Sequence, residues 1–458
     1  MTRSAVPPRP GGPVGASAAA PPSGRPAQPS PQAPRGAQGQ QGRQGQQRVK
    51  RRLAPSNTPS RLRLAIAVAV LASVLVGALG LTIGLQQSRL LGAVAERGQR
   101  VVALLDTRGN LVTADGTVTN AFLIGGLEPA DLRATYDASL ADGAAGLAAL
   151  GDTPDDPEHL LAGASSDVAV YAGLVEQARA NNRQGFPVGA AYLGQASRGL
   201  ASGVLAPIDT VVSTTADATA RDFNAVGGVV ALAWLSFALL AVLVVVQIWL
   251  ARRSRRVINV PTLVGTLVLL LATVVGTVVA SSTASTARDT RTSSYQGSLA
   301  VSQALSLAGE ARSDEAFTLI RRGSGGAYQE QFVAATEQAR ADLERAAEAA
   351  GDGDTDLVAL LDAWVEQHAQ IRALDDGGDW NGAVALATSR AEDSPSAAYD
   401  AFVTAADAQV TAFSDATDHS LRSAQWQTGV MGVVLAVAGL VSAVLCWRGI
   451  GRRLEEYR

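Results

Sequence analysis

Side chains able to do chemistry are few in this chain and poorly arranged for it. The three histidines, His159, His368 and His419, are scattered, and no Ser/His/Asp constellation, phosphate loop, HExxH or CxxC motif accompanies them. Asp352, Asp354 and Asp356 alternate like the opening of a calcium loop, but Leu357 stands at the required glycine and Ala363 at the closing glutamate. They read as helix-capping acids. The single cysteine, Cys446, excludes an intramolecular disulfide and sits near the end of an apolar run, where it reads as a small hydrophobe. The expectation is a chain that is no enzyme, with no catalytic residue, no cofactor and no metal.

What remains is suited to contact. Asn181, Asn182, Arg183 and Phe186, and then Arg322, Asp375, Asp376 and Trp380, cluster on glycine-rich turns. Amides, arginines and aromatics on such backbone have the composition of a docking surface, although the same residues also serve as plain helix caps. A second group, Arg252, Arg253, Arg255 and Arg256, lies in one short turn between apolar runs. These four are first of all topology determinants, and secondarily a contact for a cytoplasmic partner.

Composition explains what positions these groups. The chain has 458 residues, 47% hydrophobic and 17% charged, with a net charge of −3. That balance gives no reason to expect nucleic acid, and the apolar excess is concentrated in four stretches. Leu64–Leu85, Val226–Leu250, Val260–Ala280 and Thr428–Trp447 are each long enough to cross a bilayer, which takes about 20 apolar residues. None carries an ionisable residue in its core, so an ion or proton carrier is disfavoured. Some sixty residues precede the first stretch, which is also too long for a cleaved signal peptide.

Orientation follows from the basic flanks. Arg48, Lys50, Arg51, Arg52, Arg61 and Arg63 precede the first span, the four turn arginines separate the second and third, and Arg448, Arg452, Arg453 and Arg458 follow the fourth. All three sets fall on one side if the spans alternate. The chain is therefore expected in the cell inner (plasma) membrane, multi-pass, in contact with membrane lipid, with both termini cytoplasmic. Gly80 with Gly84, Gly432 with Ala436 and Gly439 with Ala443 are small-xxx-small pairs suited to close helix contacts.

The expected fold is an all-α membrane protein with four transmembrane helices, two duplicated extracytoplasmic helical-bundle domains and a disordered tail. The tail is 1–60, rich in Pro, Gly, Gln and Arg. Then come TM1 at 64–85, a first sensor domain at 86–225, TM2 at 226–250, the Arg-rich turn at 251–259 and TM3 at 260–280. A second sensor domain at 281–426, TM4 at 428–447 and a cytoplasmic tail at 448–458 complete the chain. In the first domain, breaks at Gly125–Pro129, Asp152–Pro157 and Asn181–Pro187 separate four helices, with a kink expected at Pro207 in the fourth. In the second, breaks fall at Arg322–Gly326, Gly351–Asp354 and Asp375–Gly378. Matches in order suggest duplication: Asn120-Ala121-Phe122-Leu123 with Glu315-Ala316-Phe317-Thr318, Val175-Glu176-Gln177 with Val365-Glu366-Gln367, and Gly189-Ala190-Ala191 with Gly382-Ala383-Val384. Helix lengths put the first and third turns of each domain far from the membrane and return the second toward it.

Two apolar helices bracketing an outer four-helix bundle look like the sensor domains of chemoreceptors. Over the whole chain after the tail, three stretches carry a nearer resemblance: Thr119–Pro129, Ala178–Leu193 and Ser294–Leu299. In these the chain resembles the GlnX-type actinobacterial membrane proteins of the GlnH–GlnX–PknG amino-acid-sensing system. The resemblance implies an extracytoplasmic amino-acid-binding lipoprotein of the glutamate/glutamine class as outer partner and a cytoplasmic Ser/Thr kinase as inner partner. The expected function is thus a transmembrane signalling adaptor; the alternative is a structural cell-envelope scaffold.

Overall fold

The computed structural model describes residues 58–124, 127–152, 154–156, 158–185, 187–254, 259–350 and 356–455. Residues 1–57 of the expected disordered tail, Phe186, Arg255, Arg256, Asp352, Asp354 and Arg458 lie outside them, as do the side chains of Arg253 and Arg453; the tail's last three residues, 58–60, already belong to a helix. Among the described residues the chain is helical, with no strand. Four continuous helical runs, Ser60–Ile124, Val188–Arg252, Val260–Ile320 and Pro395–Arg452, are long and apolar enough to cross a membrane. Each spans roughly 90–100 Å at 1.5 Å per residue, so one helix carries both a membrane segment and an outer segment.

The first run is helix α1 (Thr58–Ile124). α2 (Ala130–Leu150) and α3 (Leu160–Arg183) complete an outward and return path. Asp156 fixes the start of α3 by accepting from the amides of Leu160 and Leu161, both at 2.9 Å. The adjacent Asp155 pairs with Arg100 of α1 at 3.1 Å, so this turn does come back toward the span. The second run comprises α4 (Val188–Leu200), a π-turn at Ala201–Leu205, α5 (Ala206–Gly228), a 3₁₀ turn at Val229–Leu232 and α6 (Ala233–Ser254). Pro207 stands at the second position of α5, just past the π-turn. A widened turn beside a proline accommodates its missing N–H without ending the helical run.

α7 (Val260–Thr290) leads through a second π-turn, Arg291–Tyr295, into α8 (Gln296–Ile320). α9 (Gly326–Ala350), α10 (Leu357–Asp376), α11 (Trp380–Ala387) and α12 (Pro395–Glu455) follow. Asp356 caps α10, accepting from the Ala359 amide at 2.9 Å, as expected of that acid. The fourth helix of this outer segment is not continuous, contrary to expectation. It breaks at 388–394, where Ser394 accepts from the Ala397 amide and Pro395 opens α12. Ser-Pro is a helix-start signature that the Ala-rich context obscured.

The spans pack chiefly through α1 and α12. A Cβ on Gly84 would stand 2.7 Å from the Gly432 Cα, and one on Gly439 would stand 2.7 Å from the Gly77 Cα. Backbones this close need glycine on both sides. The expected Gly84 and Gly432 therefore meet each other, while Gly439 meets Gly77 and Gly80 meets the Leu435 side chain. At the opposite end from the bundles, Asn259 donates to the Gly449 carbonyl at 2.9 Å, and Leu62, Leu250 and Ile450 share one apolar cluster. The start of α1, the end of α6, the start of α7 and the end of α12 thus meet away from the bundles.

Outside the spans, the helices form two bundles that interlock. Phe317 of α8 lies in the core of the first bundle with Leu193, Val175 and Leu111. Leu123 of α1 lies in a cluster with Leu319, Ile371 and Ala387 of the second. The outer segments are one packed body rather than two separate domains.

Candidate functional site

The helical register that buries Leu111, Ala114 and Val118 of α1 also buries Asp115, which is 6% exposed. A carboxylate at this place needs donors. Ser197 of α4 donates to Oδ1 and Ser313 of α8 to Oδ2, each at 2.7 Å. Burial pushes the Asp115 carboxyl up, while these two hydroxyls pull it back. One side chain of α1 thereby joins a helix from each bundle.

The same seam continues toward the membrane. Arg108 donates to Asp209 of α5 at 2.7 Å and to Glu310 of α8 at 2.6 Å. Away from the membrane, Asn120 donates to the Ala387 carbonyl at 3.3 Å, and Asp131 of α2 pairs with Arg390. Between Arg108 and Asn120, α1 therefore carries polar links to the second bundle at Arg108, Asp115, Thr119 and Asn120.

Asp314, beside Ser313, has no hydrogen bond or ion pair among the described residues. Burial, followed by the neighbouring charges of Glu310 and Asp115, pushes its carboxyl up to about 7. Inside the second bundle, Glu315 is 1% exposed and is held by Arg312 on one side and by His368 Nδ1, 3.0 Å away, on the other. Burial opposes its charge, but Arg312 and His368 outweigh burial and keep the carboxyl below its ordinary value. The ring of His368 stacks on Phe332 with centroids 3.6 Å apart, and its Nε2 meets Gln329 at 2.9 Å.

The docking candidates separate into two kinds. Asn182 donates to the Phe122 carbonyl at 3.1 Å and Asn181 to the Gln177 carbonyl at 2.8 Å, so both tie down the end of α3. Arg183 is exposed. Trp380 points inward: its indole N–H donates to the Leu319 carbonyl at 2.9 Å, and exposed Arg322 covers its ring at 3.5 Å. Arg372 holds both Asp375, at 2.7 Å, and Asp376, at 2.5 Å. Trp380 and Asp375 thus build the turn, whereas Arg183, Arg322 and Asp376 face outward. Arg252 is exposed beside the α6–α7 turn.

Turn chemistry pointed to the loops and missed Asp115, Ser197, Glu310, Ser313 and Asp314. A signal existed for one of them: Asp115 stands four residues after Leu111 and three before Val118, an acid on an otherwise apolar helical face. Among the described residues, no group of His, Cys, Asp or Glu side chains could hold a metal ion.

Four helical runs long and apolar enough to cross a membrane thus continue into an interlocked helical bundle, the arrangement of a membrane protein. Residues 90–224, from the outer half of α1 to the end of α5, match the family model described as an actinobacterial sensor domain. The second bundle lies beyond that match. No curated protein and no solved structure matches the chain.

Proposed function

We propose that this sensor is a signalling adaptor of the inner membrane that relays amino-acid availability and catalyses no reaction itself. In this reading an extracytoplasmic amino-acid-binding lipoprotein of the glutamate/glutamine class docks at the far end of the bundles, near Arg183, Arg322 and Asp376. A cytoplasmic Ser/Thr kinase reads the opposite end, through Arg252, Arg253, Arg255 and Arg256. The two bundles are copies of one sensor unit joined in one chain, and the chain is of the GlnX type.

The observation that carries this reading is mechanical. α1 is a single 67-residue helix with the polar seam at one end and the membrane segment at the other. A rigid element of this kind transmits shifts of about 1–2 Å, the size known for helix movements at signalling interfaces. The sensor-family match over residues 90–224 supports it. The test is crosslinking in intact cells from Asn182→Cys and Asp376→Cys. The expected adduct is a solute-binding lipoprotein, formed in an amino-acid-dependent way. Adducts with cell-wall enzymes alone would replace this reading with an envelope scaffold.

A further inference from the structure

A cleft of about 590 Å3 runs between α1 of the first bundle and α8 and α12 of the second. That volume suits a small molecule. Its walls are apolar at Val102 and Leu105 of α1, Leu305 of α8, and Val403, Val410 and Leu421 of α12. Four acids, Asp106, Asp407, Asp415 and Asp418, line it as well, and among the described residues no arginine, lysine or histidine does.

The acids differ in how far the fold satisfies them. Asp418 accepts from Arg422 at 2.8 Å and from Gln99 at 3.2 Å. Asp106 accepts only from Asn110 Nδ2, at 3.4 Å. The carboxylates of Asp407 and Asp415 have no hydrogen bond or ion pair among the described residues. Burial, and then the charge of Asp106, pushes the Asp407 carboxyl up, so these two acids oppose each other across the cleft. On α8, Ser302 lines the same space and is only 7% exposed, and its hydroxyl has no hydrogen bond among the described residues. Buried polar groups are as a rule hydrogen-bonded, so this hydroxyl lacks a partner that the cleft could supply.

Helix register spaces these groups. α1 and α12 run antiparallel, with Gly92 beside Gln425 and Gln99 beside Asp418. Seven residues beyond Gln99, Asp106 is therefore level with Thr411, midway between Asp407 and Asp415. α8 runs parallel to α1, with Gly98 beside Tyr295 and Thr119 beside Ser313, which sets Ser302 level with Asp106 too. Asp407, Asp106 and Asp415 thus follow one another at four-residue steps, about 6 Å each. Acids so spread do not converge on one ion, and among the described residues no group of His, Cys, Asp or Glu could hold a metal. A single small cation would neutralise one acid and leave the others. Three negative groups in a row on an apolar wall match a hydrocarbon chain carrying several cations. Ammonium groups three or four carbons apart, at bonds of about 1.5 Å, stand about 5–6 Å from one another.

We propose that this cleft binds a linear aliphatic polyamine, with its terminal ammonium groups at Asp407 and Asp415 and its central one between Asp106 and Ser302. A secondary ammonium carries two N–H donors, one for the Asp106 carboxylate and one for the Ser302 hydroxyl, while the methylenes lie on Val102, Leu105 and Val410. The ligand touches both bundles at once, along the stretch of α1 that leads to its membrane segment.

The test uses the full chain, purified alone in nanodiscs of phosphatidylcholine, whose headgroups carry no net charge, and titrated calorimetrically with spermidine at about 0.15 M salt. Spermidine should bind with Kd below about 1 mM. Butylamine and Mg2+, which each offer a single cation, should bind at least tenfold more weakly. Asp106→Asn and Asp407→Asn should each weaken spermidine binding at least tenfold; both positions are exposed, and an unchanged or raised Tm verifies that relieving like charges leaves the fold intact. Gly109→Leu adds a side chain to the lining where a Cβ meets nothing within 4 Å, and should block the cleft. Glu337→Gln removes an exposed acid of α9 outside the lining and should leave affinity unchanged. No spermidine binding, binding no tighter than that of butylamine or Mg2+, or unchanged affinity in Asp106→Asn, Asp407→Asn and Gly109→Leu overturns the proposal, as does an equal loss in Glu337→Gln. Since no partner protein is present, a negative result leaves the adaptor reading intact.

Discussion

Asp115, Asp314 and Glu315 lie close together on two helices, yet their surroundings drive them apart. Glu315 has Arg312 and His368 as neighbours, whereas Asp314 has only other acids close by and is pushed up to about 7. The folded state therefore binds the Asp314 proton more tightly than the unfolded chain does. The stability this confers is complete below the ordinary carboxylate value of 3.8 and is lost as pH rises through about 7. Asp314→Asn removes that dependence. It should stabilise the protein by about 1–2 kcal/mol at pH 8, allowing for partial exposure, and by almost nothing at pH 4. Thermal unfolding of both proteins across this range checks the sign. Glu315→Gln acts differently, because it leaves Arg312 buried without its counter-charge. A loss of about 3 kcal/mol is expected, visible as a lowered Tm.

At the scale of elements, the α1–α12 pair connects the outer bundles to the membrane. Its approach depends on glycine, since a Cβ at Gly84 would lie 2.6 Å from the Thr428 carbonyl oxygen and 2.7 Å from the Gly432 Cα. Backbone cannot yield as a flexible side chain can. Gly84→Leu should thus separate the helices and lower the Tm in detergent by several degrees, while Gly429→Leu, whose Cβ would find only Ser88 Oγ at 3.8 Å, should have little effect. Continuity of α1 is tested separately. A proline at Ala95, in the segment between span and seam, costs about 3 kcal/mol or more of helix. Under the proposed relay, Ala95→Pro should insert normally into membranes and abolish the amino-acid-dependent kinase output; normal signalling in this mutant would end the idea of α1 as conduit.

Considered as a whole molecule, the proposed relay needs two ends, one for each partner. At one end Arg183, Arg322 and Asp376 are exposed, and at the other the start of α1, the end of α6, the start of α7 and the end of α12 come together. If the arginine distribution sets orientation, reporters fused at Val170 and Leu360 are extracytoplasmic and one fused at the C-terminus is cytoplasmic. A cytoplasmic signal from either bundle would overturn that topology and the adaptor reading with it. The interlock has its own consequence. Phe317 fills the core of the first bundle from the second, so Phe317→Ala, which costs about 3–5 kcal/mol in a buried core, should loosen both bundles together. Hydrogen exchange in α3 and α10 of this variant should rise in parallel.

The sequence alone determined the parts of this protein that depend on local rules. Uncharged stretches of bilayer length, glycine and proline at the breaks, and capping acids such as Asp356 decide the helices and their ends, because each is settled within one or two turns of chain. The break before Pro395 was missed for the opposite reason: alanine on both sides favours helix, and only the Ser-Pro step opposed it. Tertiary structure alone decided which glycines meet, that Trp380 turns inward while Arg322 stays out, and that Asp115, Ser197 and Ser313 share one seam. Those partners are 82 and 198 residues apart in the chain. Hydrogen bonds over such separations leave no periodicity to read, since their geometry exists only once the helices have packed.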